Sequence, residues 1–191
     1  MATPNRRRAT LADILPFLAR EEQVELVDGE IVPRAMPSAS HGATQLGFGD
    51  VLGPFRRRAG DPRGPGGWWI FSELDVHYEQ TDEVFRHDVC GYRRDRHAER
   101  PSGAVVSARP DWVCEILSTN RRRAFIEKQR TLHRHAVPHY WLFDPDAEVL
   151  SVLRWSEPGY VVILNAGAGE TVRAEPFDAI EIVVDELLGK D

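Results

Sequence analysis

The chain has 191 residues, 42% hydrophobic and 28% charged, with five Trp available to anchor a core. That length suits one domain over residues 1–191, and it contains no apolar run of the roughly 18–20 residues that a membrane span needs. A net charge of −6 argues against indiscriminate nucleic-acid binding.

The N-terminus MATPNRRRAT lacks the apolar middle of a secretory signal, so a cytoplasmic location without a membrane partner is expected. Thr10 and Asp13 form an N-cap pair for a short helix with Leu11, Ile14, Leu15 and Leu18 on one face. VELV and EIVP around Asp28-Gly29 predict a β-hairpin, because Asp-Gly accommodates the two positive φ angles of a type I′ turn. Ser38 or Ser40 caps a helix on which His41, Thr44, Phe48, Val51, Leu52 and Phe55 recur at helical spacing, ending or kinking at Gly53-Pro54. WWIFSELDVHY predicts a strand with Ile70, Ser72, Leu74 and Val76 on one face and Glu73, Asp75 and His77 on the other.

Residues 84–92 (VFRHDVCGY) predict a further strand with Arg86, Asp88, Cys90 and Tyr92 on one face. In DWVCEILS, at 111–118, Val113, Glu115 and Leu117 share a face. Cys90 and Cys114 lie inside these runs and read as buried free thiols. A helix is predicted from Asn120, as N-cap, to about Ala136, with Phe125 and Leu132 inward. HYWLFDPDAEVLSVLRW reads as strand, turn and strand, followed by short β-runs and a brief helix at about 184–189. Residues 141–191 carry three basic and eleven acidic side chains, so this segment reads as an acidic β-rich extension (146–191) of a core at about 24–145. The remaining residues sum to +2, with arginine runs at 56–58 and 121–123 that either contact phosphate or are merely solvated.

Two features carry chemistry. Glu115 stands alone in a strand that is otherwise apolar, where a carboxylate costs several kcal/mol unless it is paired. The 24 basic residues include only two Lys, and Lys128 is the one in mid-chain. A chain that uses Arg almost throughout has put a compact, tunable amine at this position. If the strands of Asp88 and Glu115 are neighbours, the two carboxylates converge and repel unless a divalent cation lies between them, and oxygen donors suit Mg²⁺ or Mn²⁺. The helix after the Glu115 strand can bring Lys128 back over them. Two carboxylates, a metal and a lysine fit phosphodiester hydrolysis. His41 reads either as a satisfied core histidine or as a substrate or metal contact. Glu73 and Asp75 are further candidates for the acidic cluster.

The order Asp88, Glu115, Lys128 resembles the PD-(D/E)XK nuclease superfamily, and more narrowly the Uma-type restriction endonuclease family. The resemblance runs from about Val24 to Phe143, through ELVDGEIV, SASH, RHDVCGYRR, RPDWVCEILS, STNRRRAFIEK and AVPHYWLFDP. It implies an α/β restriction-endonuclease-like fold with a central mixed sheet flanked by helices, and extra strands at the C-terminus. It also implies a Mg²⁺-dependent endonuclease acting on DNA, and a homodimer. In such a protein Asp88 and Glu115 would be metal ligands and Lys128 the charge-stabilising group, displaced from the usual strand position (here Leu117) to the helix. This chain has His87 where most relatives have Pro, Ala124 where an Asp is usual, and Leu132 where a Tyr is common. Two alternatives stand beside this reading. A catalytically silent binding module need not take up Mg²⁺, and a glycosidase needs a wider carboxyl pair and no metal.

Overall fold

The computed structural model describes residues 7–118 and 123–190. The expected N-cap Asn120, together with Arg121 and Arg122, lies outside them. Helix α1 (Leu11–Leu18) starts at Thr10, whose backbone N–H and hydroxyl both donate to the Asp13 carboxylate. Ile14 is buried and Leu11 and Leu18 pack beside it, whereas Leu15 is exposed. Strands β1 (Val24–Val27) and β2 (Glu30–Pro33) form the antiparallel hairpin, with Asp28 at φ 50° and Gly29 at φ 79° in its turn. The Ser38 hydroxyl caps helix α2 (Ala39–Val51) by accepting from His41 N at 3.1 Å. A 3-10 turn with Pro54 follows at Gly53–Arg56.

Next come β3 (Trp68–Tyr78), β4 (Glu83–Arg93), β5 (Val105–Val106) and β6 (Trp112–Ile116). A π-helical segment (Arg123–Lys128) leads into α3 (Gln129–Arg134). The chain ends with β7 (His139–Asp144), β8 (Val149–Arg154), β9 (Val161–Gly167), β10 (Thr171–Val172), β11 (Ile182–Val183) and α4 (Val184–Leu187).

The main sheet runs β2-β1-β4-β6-β7-β8-β9, with β3 paired to β4 and β5 to β3. It is mixed: β6–β7 and β3–β5 are parallel, and the other pairs are antiparallel. The parallel β6–β7 pair needs a crossover, supplied by the π segment and α3. Helices α2 and α4 cover one face, where Phe48, Trp112, Trp141 and Phe177 form a core. On the other face Tyr92, Val113, Leu132 and Tyr140 form a second. The C-terminal residues Phe177, Ile182, Val184 and Leu187 are fully buried in the first core, so this acidic segment is built into the sheet's packing. It comes close at Gly47, where a Cβ would lie 2.5 Å from the Glu186 carbonyl oxygen.

Two expectations about faces fail. In β3, Trp68 and Ile70 belong to the first core, but Leu74 and Val76 belong to the second. In β4, Val89 faces the first core, whereas Phe85 and Cys90, five residues apart, both face the second. Strict alternation cannot do this. The β3–β4 pairing holds one register on both sides, Ser72 with Val89 and Leu74 with His87, and is interrupted only where Glu73 faces Asp88. Glu73 has φ 52°, a left-handed conformation that is rare for this residue type. Both strands therefore exchange faces at this pair, and Arg86 does not share the face of Cys90 and Tyr92. The second failure is Phe125, which is 47% exposed, while Ala124, Lys128, Thr131 and Leu132 are buried. A π turn winds more residues per turn than an α-helix, which shifts the inward phase.

Candidate active site

The Asp88–Glu115 encounter follows from strand register. Strands β4 and β6 pair Val89 with Cys114 and Cys90 with Val113, so one step further sets Asp88 opposite Glu115. The regular ladder stops there, and the Asp88 side chain takes over: its Oδ2 accepts the Ile116 backbone N–H at 2.7 Å. Its Oδ1 accepts from Arg34 Nη2, with His41 Nε2 3.3 Å away.

Glu115 is answered from two sides. Lys128 Nζ donates to its Oε2 at 2.7 Å, and His87 Nδ1 lies 2.6 Å from its Oε1. Burial, reinforced by the Asp88 charge, pushes the Glu115 carboxyl up to about 8 even against Lys128. Burial works against the charge on Lys128 too, but Glu115, Glu25 and Asp88 together hold the amine above its ordinary range. Asp88 goes the other way: His41, Lys128 and Arg34 outweigh burial and hold it below the usual carboxylate range. His87 is fully buried, and burial with the nearby Lys128 pulls it down to about 3, so the ring is neutral. Tyr78 O–H lies 2.7 Å from His87 Nε2, and burial holds the phenol well above its usual range. A phenol that keeps its proton donates to Nε2, which leaves the ring proton on Nδ1, directed at Glu115.

The sequence candidates separate as follows. Asp88, Glu115, Lys128 and His41 line one cleft of about 340 Å³, with Arg34 and Ser38 at its wall. Glu73 joins through Arg34, which donates to it at 2.7 and 3.2 Å, and through Gln45 at 2.6 Å. Asp75 does not join; it is held by Arg86 at 3.0 and 2.6 Å as a structural ion pair. The arginine run 56–58 lies away from the cleft. Arg94, just past the end of β4, binds the Arg56 carbonyl with its guanidinium, and Gly67 N donates to the Arg57 carbonyl. The end of β4 at Arg93 is five strand residues from Asp88, roughly 16 Å at about 3.3 Å per residue.

Three participants were not anticipated. Glu25 is buried and accepts from Arg123 at 3.1 Å, with Lys128 Nζ also at 3.1 Å. Its signal was present, a lone carboxylate in VELV just as Glu115 is in its strand. Gln45 ties Glu73 to the Asp88 carbonyl. Arg34, one of 22 arginines, carried no signal.

Hard oxygen donors suit Mg²⁺ or Mn²⁺. His41 Nε2 is buried without an aligned hydrogen-bond partner, and ligating atoms of His41, Glu73 and Asp88 lie within 4.8 Å of one another. An imidazole beside two carboxylates fits a cation, with Mn²⁺ the more tolerant of nitrogen.

No protein of curated function matches the chain. The crystal structure of a "putative nuclease belonging to DUF820" from Anabaena variabilis ATCC 29413 is similar in fold, with a TM-score of 0.68 and 21% sequence identity over 94% of this chain and 97% of that one. The family model described as "Uma2: Putative restriction endonuclease" matches residues 11–185. With a match over nearly its whole length, the chain belongs to the Uma2 family, as its strand and helix motifs implied.

Proposed function

We propose that the protein is a Mg²⁺-dependent endonuclease, with Mn²⁺ as an alternative ion, that hydrolyses DNA phosphodiester bonds. The observation that carries this reading is the convergence of Asp88, Glu115 and Lys128 in one cleft. Family membership supports it, since both the family description and the Anabaena relative are worded as nucleases. Asp88 and Glu115 would hold the ion, with His41 and Glu73 beside them. Such an ion polarises a phosphate and activates a water. Lys128, kept cationic by three carboxylates, stabilises charge that builds on the phosphate. His87 and Tyr78 orient Glu115. We further propose a cytoplasmic location, which suits the free buried thiols of Cys90 and Cys114, and a homodimer, on the family resemblance.

The test is cleavage of plasmid and single-stranded DNA with Mg²⁺ or Mn²⁺, comparing the native protein with Glu115→Ala. Metal-dependent cleavage abolished in the variant is the expected result, and equal cleavage by both would remove Glu115 from the reaction. The family resemblance also leaves a second reading, a binding module, since it implies an Asp where this chain has Ala124. Failure to take up Mn²⁺ in a direct titration would favour that reading.

A further inference from the structure

Arg34 sits where a cation would sit. His41, Glu73 and Asp88 present ligating atoms within 4.8 Å of one another. Into this same group Arg34 donates from Nη1 to Glu73 Oε2 at 2.7 Å, and from Nη2 to Glu73 Oε1 at 3.2 Å and to Asp88 Oδ1. Ile116 N–H occupies the other Asp88 oxygen, and Gln45 shares Glu73 Oε1. His41 Nε2 makes no aligned hydrogen bond among the described residues, although it lies 3.3 Å from the Asp88 oxygen that Arg34 holds. A guanidinium does not lose its charge in a protein, so this position empties only by movement. The backbone is placed for such movement: Arg34 N donates to Gln23 O at 2.8 Å, fixing the main chain at the end of β2 while the unbranched side chain lies along the cleft wall.

We propose that Arg34 is a displaceable internal cation. It neutralises Glu73 and Asp88 in the metal-free protein; a divalent ion entering at Asp88 expels it, and the freed guanidinium binds a phosphate of the nucleic acid. The fork that grips two carboxylates matches phosphate oxygens equally well. This inference rests on the metal-dependent nuclease reading and adds to it a phosphate-binding residue and an order of events. It also makes two binding steps respond to Arg34 with opposite sign.

The test uses the full chain and Arg34→Gln. Mn²⁺ affinity is measured by calorimetry, and binding of a short duplex by anisotropy with Ca²⁺ present. The variant should bind Mn²⁺ about tenfold more tightly, within the usual range for coupled sites, and bind the duplex several-fold more weakly. Equal or weaker Mn²⁺ binding by the variant overturns the inference alone. Mn²⁺ uptake by neither protein sinks the metal-dependent reading, and the inference with it. Should Arg34→Gln fail to fold, the native protein suffices. Adding Mg²⁺ should shift or broaden the Arg34 side-chain ¹⁵N signal, and an unchanged signal overturns the displacement.

Discussion

His87 Nδ1 lies 2.6 Å from Glu115 Oε1 in a fully buried contact, although the two side chains come from different strands. A proline at this position would have no donor to offer, so the contact depends on the imidazole. Tyr78 completes it by occupying Nε2. Replacing His87 with Phe leaves Glu115 Oε1 and the Tyr78 hydroxyl unpaired in the interior. At about 1–3 kcal/mol for each buried group left unsatisfied, we expect a loss of roughly 2–5 kcal/mol in urea unfolding. His87→Gln, which keeps a donor, should lose clearly less. Equal losses for the two variants would show that ring packing, not the hydrogen bond, matters.

Lys128 gives a sharper test, because Arg replaces Lys almost everywhere else in this protein. Its Nζ meets Glu115 at 2.7 Å, the Arg86 carbonyl at 2.8 Å and Glu25 at 3.1 Å, and the side chain is almost wholly enclosed. A planar fork keeps the charge but overfills the site, at a cost of about 1–3 kcal/mol. Lys128→Arg should fold and take up metal, yet lose about 100-fold or more in cleavage, the scale of a ~1 Å misplacement. Full activity would reduce Lys128 to a structural cation.

Glu115→Gln separates charge from shape. The folded-state pKa of Glu115 is raised to about 8 from an ordinary 4.5. Between those values the native state holds more protons than the unfolded state, so this group makes stability rise as pH falls from about 8 towards 4.5. The native protein minus Glu115→Gln should show this slope, at most about 1.4 kcal/mol per pH unit. At pH 8.5 the variant should be as stable as the native protein or more so, since it removes a buried charge. A flat difference between pH 5 and 8.5 would mean that Lys128 keeps Glu115 fully ionised throughout.

The arginines at 56–58 yield a negative prediction. Their backbone lies by the end of β4 remote from Asp88, so Arg56→Gln and Arg58→Gln should leave the salt dependence of duplex binding unchanged. An arginine that neutralises one phosphate would, once replaced, flatten the log–log slope by ~0.9. A flattening of that size in either variant would extend the DNA footprint beyond the cleft.

The parts of this structure that follow local rules were legible in the sequence. Asp28-Gly29 specified its turn through φ, Ser38 capped α2, and the run around Glu115 announced a buried carboxylate. What stayed hidden depends on tertiary contact. The exchange of faces at Glu73 and Asp88 leaves the strand composition unchanged and alters only which core each half addresses. Arg34 is one arginine among many until β2 brings it beside Glu73 and Asp88. The C-terminal acidic segment looked like an appendage because its charges are plain to count, while Phe177 and Ile182 show their importance only once they meet Trp112 and Trp141.

The π segment at Arg123–Lys128 has a consequence for how a lysine can move from strand to helix within one fold. On an α-helix each residue advances about 100° around the axis. Deleting one residue between Arg123 and Glu127 would let the segment tighten into an ordinary helix, with every backbone bond still available. That exchange would keep the amine near its present heading, because the wide turn absorbs about the angle that the extra residue adds. Tightening with no residue removed would instead swing it about a quarter turn around the axis, off the bearing of Glu115. The wide turn thus acts as a washer under a bolt. It takes up one residue of thickness, and so preserves the heading at which Lys128 arrives.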